Sequence, residues 1–187
     1  ELADQYLVIL GSKRDPTEPI PGLAVLAAQP ELGVQPQTLL SSRYKNLMPC
    51  YTVTFARAFA ELTVGVDGTQ RGHGWSVAEY VSHVADNLRQ WSERVQSGRG
   101  GQITVSGYDP DELAVARGYA TIPMTTALWS LEHSAAAWVD VMTAALREHV
   151  TLNHLTRGPQ RAEDVALNNA HDAGHHLWDI EQILGRG

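Results

Sequence analysis

The chain has 187 residues, of which 43% are hydrophobic and 19% charged, enough for one globular domain with a substantial core. Its 14 basic and 21 acidic residues leave a net charge of −7, which argues against nucleic acid and against an anionic membrane surface, since both demand a basic face. No stretch approaches the roughly 20 apolar residues of a membrane span. The single cysteine, Cys50, excludes an internal disulfide and fits a reducing compartment, so a cytoplasmic location is expected.

Residues 1–37 carry Pro16, Pro19, Pro21, Pro30 and Pro36, a density that forbids a long helix. They read as an irregular, proline-rich extension ahead of a domain at 38–187. The apolar run at 6–10 reads as a short strand or a strap on that domain. A first helix is predicted over about 38–62, where Leu40, Tyr44, Leu47, Tyr51, Phe55, Ala58 and Leu62 recur at helical spacing. Pro49 either kinks this helix or begins it. The second helix opens at Ser76, with Glu79 completing a capping box, and runs to about Ser97 before Gly98, Gly100 and Gly101. Its stripe is Val77, Val81, Val84, Leu88, Trp91 and Val95.

A long connection over 98–123 holds a short helix starting near Asp111. The third helix is predicted from Met124 to Arg147, with the stripe Leu128, Leu131, Ala135, Trp138, Val139, Met142 and Leu146. The fourth runs from about Gln160 to Leu184, with the stripe Ala166, Ala170, Ala173, Leu177, Ile180 and Leu184. Four amphipathic helices point to an all-α fold, a four-helix bundle.

The chemistry-bearing residues are histidines. His171 and His175 stand one helical turn apart, so their side chains leave the helix about 5–6 Å apart at Cβ and can grip one metal ion. Beside them a second apolar strip is formed by Leu167, Gly174 and Trp178. His176, facing about 100° away, is a substitute for His175. His83 lies on the flank of the second helix, with Asp86 one turn on as a carboxylate able to orient an imidazole. Spacing alone does not attach His83 to the distant pair. His133 reads as a surface residue, His149 and His154 as capping groups in the turn after the third helix, His73 as a loop residue and Cys50 as a buried structural thiol. No glycine-rich phosphate loop, serine nucleophile elbow or Cys-x-x-Cys pair is present.

Two stretches together resemble a known family. Residues 75–86, Trp-Ser-Val-Ala-Glu-Tyr-Val-Ser-His-Val-Ala-Asp, look like the second-helix signature of the DinB/YfiT-like superfamily, and residues 170–177, Ala-His-Asp-Ala-Gly-His-His-Leu, look like its last-helix His-x-x-x-His motif. The segment from Tyr108 to Tyr119 is similar to actinobacterial members. The resemblance covers roughly residues 38–185. It implies a four-helix bundle with a long connection between its second and third helices, and a divalent metal, Zn²⁺ or Ni²⁺, held by three histidines that map onto His83, His171 and His175. The proline-rich residues 1–36 exceed what the minimal bundle requires.

Several members of that superfamily use a low-molecular-weight thiol such as bacillithiol or mycothiol. The resemblance therefore implies a metal-dependent thiol S-transferase, in which a small thiol bound at the open metal position attacks a small electrophile. Metal-dependent hydrolysis and mycothiol-dependent isomerisation on the same site are alternatives, as is a non-catalytic metal-binding or structural homodimer. Asp86 and Tyr119 are candidates for a base, Asp172 is available as one for hydrolysis, and Arg117 and Tyr119 are candidate substrate contacts.

Overall fold

The computed structural model describes residues 56–72 and 74–186. The proline-rich extension, the 6–10 segment, most of the first predicted helix, Cys50 and His73 lie outside these residues. The described chain opens on a helix (α1, 56–62). It continues through α2 (Val77–Arg99), β1 (Thr104–Val105), α3 (Pro110–Arg117), a 3₁₀ turn (Tyr119–Thr121), α4 (Met124–Glu148), β2 (Thr151–His154), β3 (Gly158–Arg161) and α5 (Ala162–Ile183).

The start of α2 follows from three side chains. The Glu79 amide donates to Ser76 Oγ at 3.3 Å, and the Ser76 amide donates to the Glu79 carboxylate at 2.7 Å, which satisfies two orphan donors of the first turn. The Arg71 guanidinium closes on the same carboxylate at 2.8 Å. Every residue of the predicted stripe, Val77 through Val95, is buried. Near its far end Leu152 occupies the space that a Cβ on Gly98 would need, so the helix meets the strand there at close range.

Helix α2 packs chiefly on α4, and α5 lies against both. The core contains Leu131, Trp138 and Met142 from α4, Ile180 from α5 and Phe59 from α1, all fully buried. The α5 stripe is rich in alanine (Ala166, Ala170, Ala173), and these small side chains let its backbone come close to its neighbours. This is the expected four-helix bundle.

The connections are more structured than expected. Asp109 caps α3 by accepting from the Asp111 and Glu112 amides, Pro110 opens the helix, and Gly118 ends it at φ 66°. Between α4 and α5 the chain forms a hairpin where a plain turn was expected. Strands β2 and β3 pair antiparallel from Thr151–Arg161 to His154–Gly158, and β1 adds a parallel strand beside β2. Residues 151–154 alternate exposed and buried, so Leu152 enters the core and His154 is buried too. The four-residue strand is too short for its period to stand out in the sequence. Among the described residues no helix is long and apolar enough to cross a membrane.

Candidate metal centre

His83, Asn87, Trp91 and Arg94 follow one another on α2 at spacings of four, four and three, and so share one face of the helix. That face forms one wall of a cavity of about 480 Å³; the rest comes from α5, from the loop at Tyr108 and from the hairpin at His154. His83 is 5% exposed, not a solvated flank residue, because the Trp75 ring covers it at 5.0 Å and α5 closes the other side.

Three side chains meet at this end of the cavity. Donor atoms of His83, Asp172 and His176 lie within 4.8 Å of one another. The Asp172 carboxylate spans the two imidazoles, with Oδ2 3.4 Å from His83 Nε2 and Oδ1 3.6 Å from His176 Nε2. The rings of His83 and His176 meet edge to face at 4.8 Å between centroids.

The structure thus brings to His83 the i, i+4 pair one residue later than the expected one. At 100° per residue, Asp172 and His176 fall about 80–120° from the centre of the buried α5 stripe, on the side of α2, whereas His175 falls about opposite that stripe. His175 is exposed, faces Trp178 at 6.2 Å and has no part in the cavity wall. His171 is also exposed but borders the cavity, its ring 5.9 Å from that of His175. Leu167 and Trp178 of the second apolar strip, on that side of the helix, are themselves exposed. The angular offset from the alanine stripe was the sequence signal that separates the two pairs.

A surrounding layer orients the group. Asp179 Oδ2 lies 2.9 Å from His176 Nδ1, which leaves Nε2 turned toward Asp172. Asn87 donates to Asp172 Oδ2 at 2.8 Å, and the Tyr108 hydroxyl donates to Asn87 at 3.0 Å. Burial works against a charged His176, but hydrogen bonds and charge from Asp172 and Asp179 outweigh it and push its pKa up to about 9. Burial likewise opposes ionisation of Asp172, yet the two imidazoles hold its carboxyl well below the usual carboxylate range.

These residues fit a divalent cation. Two imidazoles and one carboxylate form the donor set of His₂Glu zinc enzymes and of facial-triad iron sites, both of which keep positions open for a reactant. The ring nitrogen of His83 that faces the group is Nε2, 3.4 Å from Asp172 Oδ2, and it is the atom placed to ligate. The donor set carries one negative charge, so a bound ion would keep a net charge of about +1, against +2 for three neutral histidines.

Other expected residues stand elsewhere. Asp86 does not orient His83; it accepts from the Tyr119 hydroxyl at 2.8 Å and from Arg89 at 3.1 Å, with Arg117 Nε 3.3 Å away. Arg117 and Tyr119 are tied to that carboxylate and line no part of the cavity. Burial, reinforced by Asp86, pushes the Tyr119 hydroxyl above its ordinary pKa and keeps it protonated as the donor to Asp86. His149 caps α4 in the left-handed region, and His133 is exposed against Trp129, both as expected. His154 is a cavity residue. Its Nδ1 accepts from the Thr156 and Arg157 amides, and burial, with Arg157 and Arg94 nearby, pulls its pKa down.

A helical bundle with an open His-Asp-His group between two of its helices is the architecture of a metal-binding protein. The family model described as "DinB superfamily" matches residues 24–180, and the chain belongs to that superfamily. Among solved structures it is similar to YfiT from Bacillus subtilis, described as a probable metal-dependent hydrolase with an unusual four-helix bundle topology. The identity is 18% over 79% of this chain and 91% of that one, with a TM-score of 0.64, which shows a shared fold. No functionally curated protein matches the chain.

Proposed function

We propose that the protein is a metal-dependent enzyme that joins a low-molecular-weight thiol of the mycothiol kind to a small electrophile, with Zn²⁺ or Ni²⁺ held by His83, Asp172 and His176. A bound divalent ion would supply the positive charge that ionises a thiol near neutral pH. The chain's own residues do the rest. Asp179 and Asn87 fix the orientation of His176 and Asp172, and Trp75 covers His83 against solvent. The observation that carries the reading is the composition of the cavity wall. Asp172 is its sole carboxylate among the described residues, and it is itself a donor. A thiol ionised by a bound metal needs no separate protein base, so a wall without a second carboxylate suits transfer; water ionised by the same charge is the competing nucleophile.

Hydrolysis is the second reading. It is supported by the description of YfiT and by His171, an imidazole that borders the cavity outside the donor group. The zinc- or nickel-loaded protein separates the two when given mycothiol with a haloalkyl fluorophore, and an aryl ester without thiol. Thioether formation that requires both metal and thiol supports transfer. Metal-dependent ester cleavage without thiol supports hydrolysis, and no turnover of either kind removes both.

A further inference from the structure

The far end of the same cavity holds a cation that the metal centre does not explain. Arg94 stands eleven residues after His83 on the same helical face, about 16 Å of helix rise away. Its guanidinium lies over the Trp91 ring at 5.0 Å and the Tyr108 ring at 5.3 Å. Nη1 is buried and has no hydrogen-bond partner among the described residues. The nearest carboxylate in sequence, Glu93, is taken by Arg89 at 2.6 Å. Arg157, from the hairpin, borders the cavity too and brings a second positive charge. Burial draws the Arg94 pKa below the usual guanidinium value; Tyr108 and Glu93 offset this in part, and Arg157 adds to it. His154, in the same wall, has its pKa lowered by burial and by both arginines.

A half-buried guanidinium with an orphaned donor and a like charge nearby is costly unless an anion completes it. The two aromatic rings lie close to the guanidinium carbon but accept no conventional hydrogen bond from it, which leaves Nη1 as the donor for an oxyanion. We propose that Arg94, assisted by Arg157, forms a subsite for the carboxylate or phosphate of an anionic substrate whose reacting part lies at the His83 end. Its assignment to a substrate rests on the function proposed above; the binding of an anion does not. Trp91 and Tyr108 beside the guanidinium suit an aromatic or otherwise apolar segment next to the anion.

Calorimetric titration of the metal-free protein with benzoate, benzamide and phenyl phosphate tests this, beside Arg94→Gln, Arg157→Gln and His83→Ala. Benzoate or phenyl phosphate is expected to bind at least tenfold more tightly than benzamide, and the tighter of the two names the anion. Arg94→Gln should lose that preference, Arg157→Gln should reduce it, and His83→Ala should keep it, so a failed metal centre leaves the subsite measurable. Equal binding of benzamide overturns the proposal, and so does anion binding that survives Arg94→Gln but disappears in His83→Ala. Should Arg94→Gln not fold, the Arg157→Gln titration and the benzoate-to-benzamide ratio of the parent decide it.

Discussion

Replacing Asp179 by Asn tests the layer behind the metal centre. Asp179 Oδ2 lies 2.9 Å from His176 Nδ1, with the two side chains 24% and 17% exposed, so the pair is largely shielded from solvent. Asparagine keeps the size and an accepting oxygen and removes the charge. Loss of such an outer carboxylate typically weakens metal affinity 10–100-fold, about 1.4–2.7 kcal/mol. A second effect opposes the first. Metal binds the unprotonated imidazole, and a pKa of about 9 means that His176 is protonated at pH 7. Proton competition then weakens apparent affinity by about two decades at pH 7, roughly 2.7 kcal/mol, and this penalty disappears as pH rises through the His176 pKa. Without the Asp179 charge that pKa falls, so competition at pH 7 is smaller in the variant. Zinc affinity, measured by competition with a chelating indicator at pH 7 and pH 9, should therefore show the full deficit at pH 9 and a smaller one, or none, at pH 7. An unchanged affinity at pH 9 refutes the orienting role. Deficits of equal size at both pH values refute the proton competition.

Three further outcomes discriminate the placement of the site. By elemental analysis after zinc loading, His83→Ala and His176→Ala should retain no stoichiometric metal while His175→Ala binds as the parent does; the opposite pattern for the last two returns the ligand role to the pair expected from the family motif. Tyr119→Phe removes the donor to Asp86 and should cost about 1 kcal/mol in urea unfolding with zinc affinity unaltered, and a lost affinity would place Tyr119 in the centre after all. Trp138→Ala, at a fully buried position of α4, should cost about 3–5 kcal/mol by the same measurement, and a loss below 1 kcal/mol would show that the bundle core is not where the structure has it.

The helices were legible because their signals are local or periodic. Ser76 and Glu79 mark the start of α2 through a pattern spanning one turn, and the seven-residue rhythm of Val77 to Val95 survives in the fold with every member buried. The hairpin was not legible, since two strands of four residues give too few alternations to compete with the reading of His149 and His154 as caps. The candidate site was legible in part. The structure places His83 and the turn of α5 over 171–176 at one cavity, and that turn carries two overlapping i, i+4 pairs, His171 with His175 and Asp172 with His176. A histidine pair is the louder signal, and an aspartate on a helix is usually a solvated charge. Only the direction of the buried stripe says which pair faces α2, and that direction was blurred by Leu167 and Trp178, two apolar residues that the fold leaves exposed.

That geometry makes the core a determinant of the centre. Asp172 and His176 reach His83 because α5 lies close to α2, and the alanines of its stripe permit the approach. Ala173, 2% exposed, directly follows Asp172. Ala173→Leu adds three carbons at a packed surface, a change that costs about 1–3 kcal/mol through overpacking and displaces the helix that bears two of the three donors. Zinc affinity should therefore fall at least tenfold although no donor is altered. Trp138→Ala, on a helix that supplies no donor, should lower stability more and zinc affinity less. Measuring both quantities in both variants separates a general loss of folded protein from a local loss of helix position. If zinc affinity tracks stability across the pair, the alanine stripe sets only the strength of the bundle; if Ala173→Leu breaks that ranking, it sets the distance across which the metal is held.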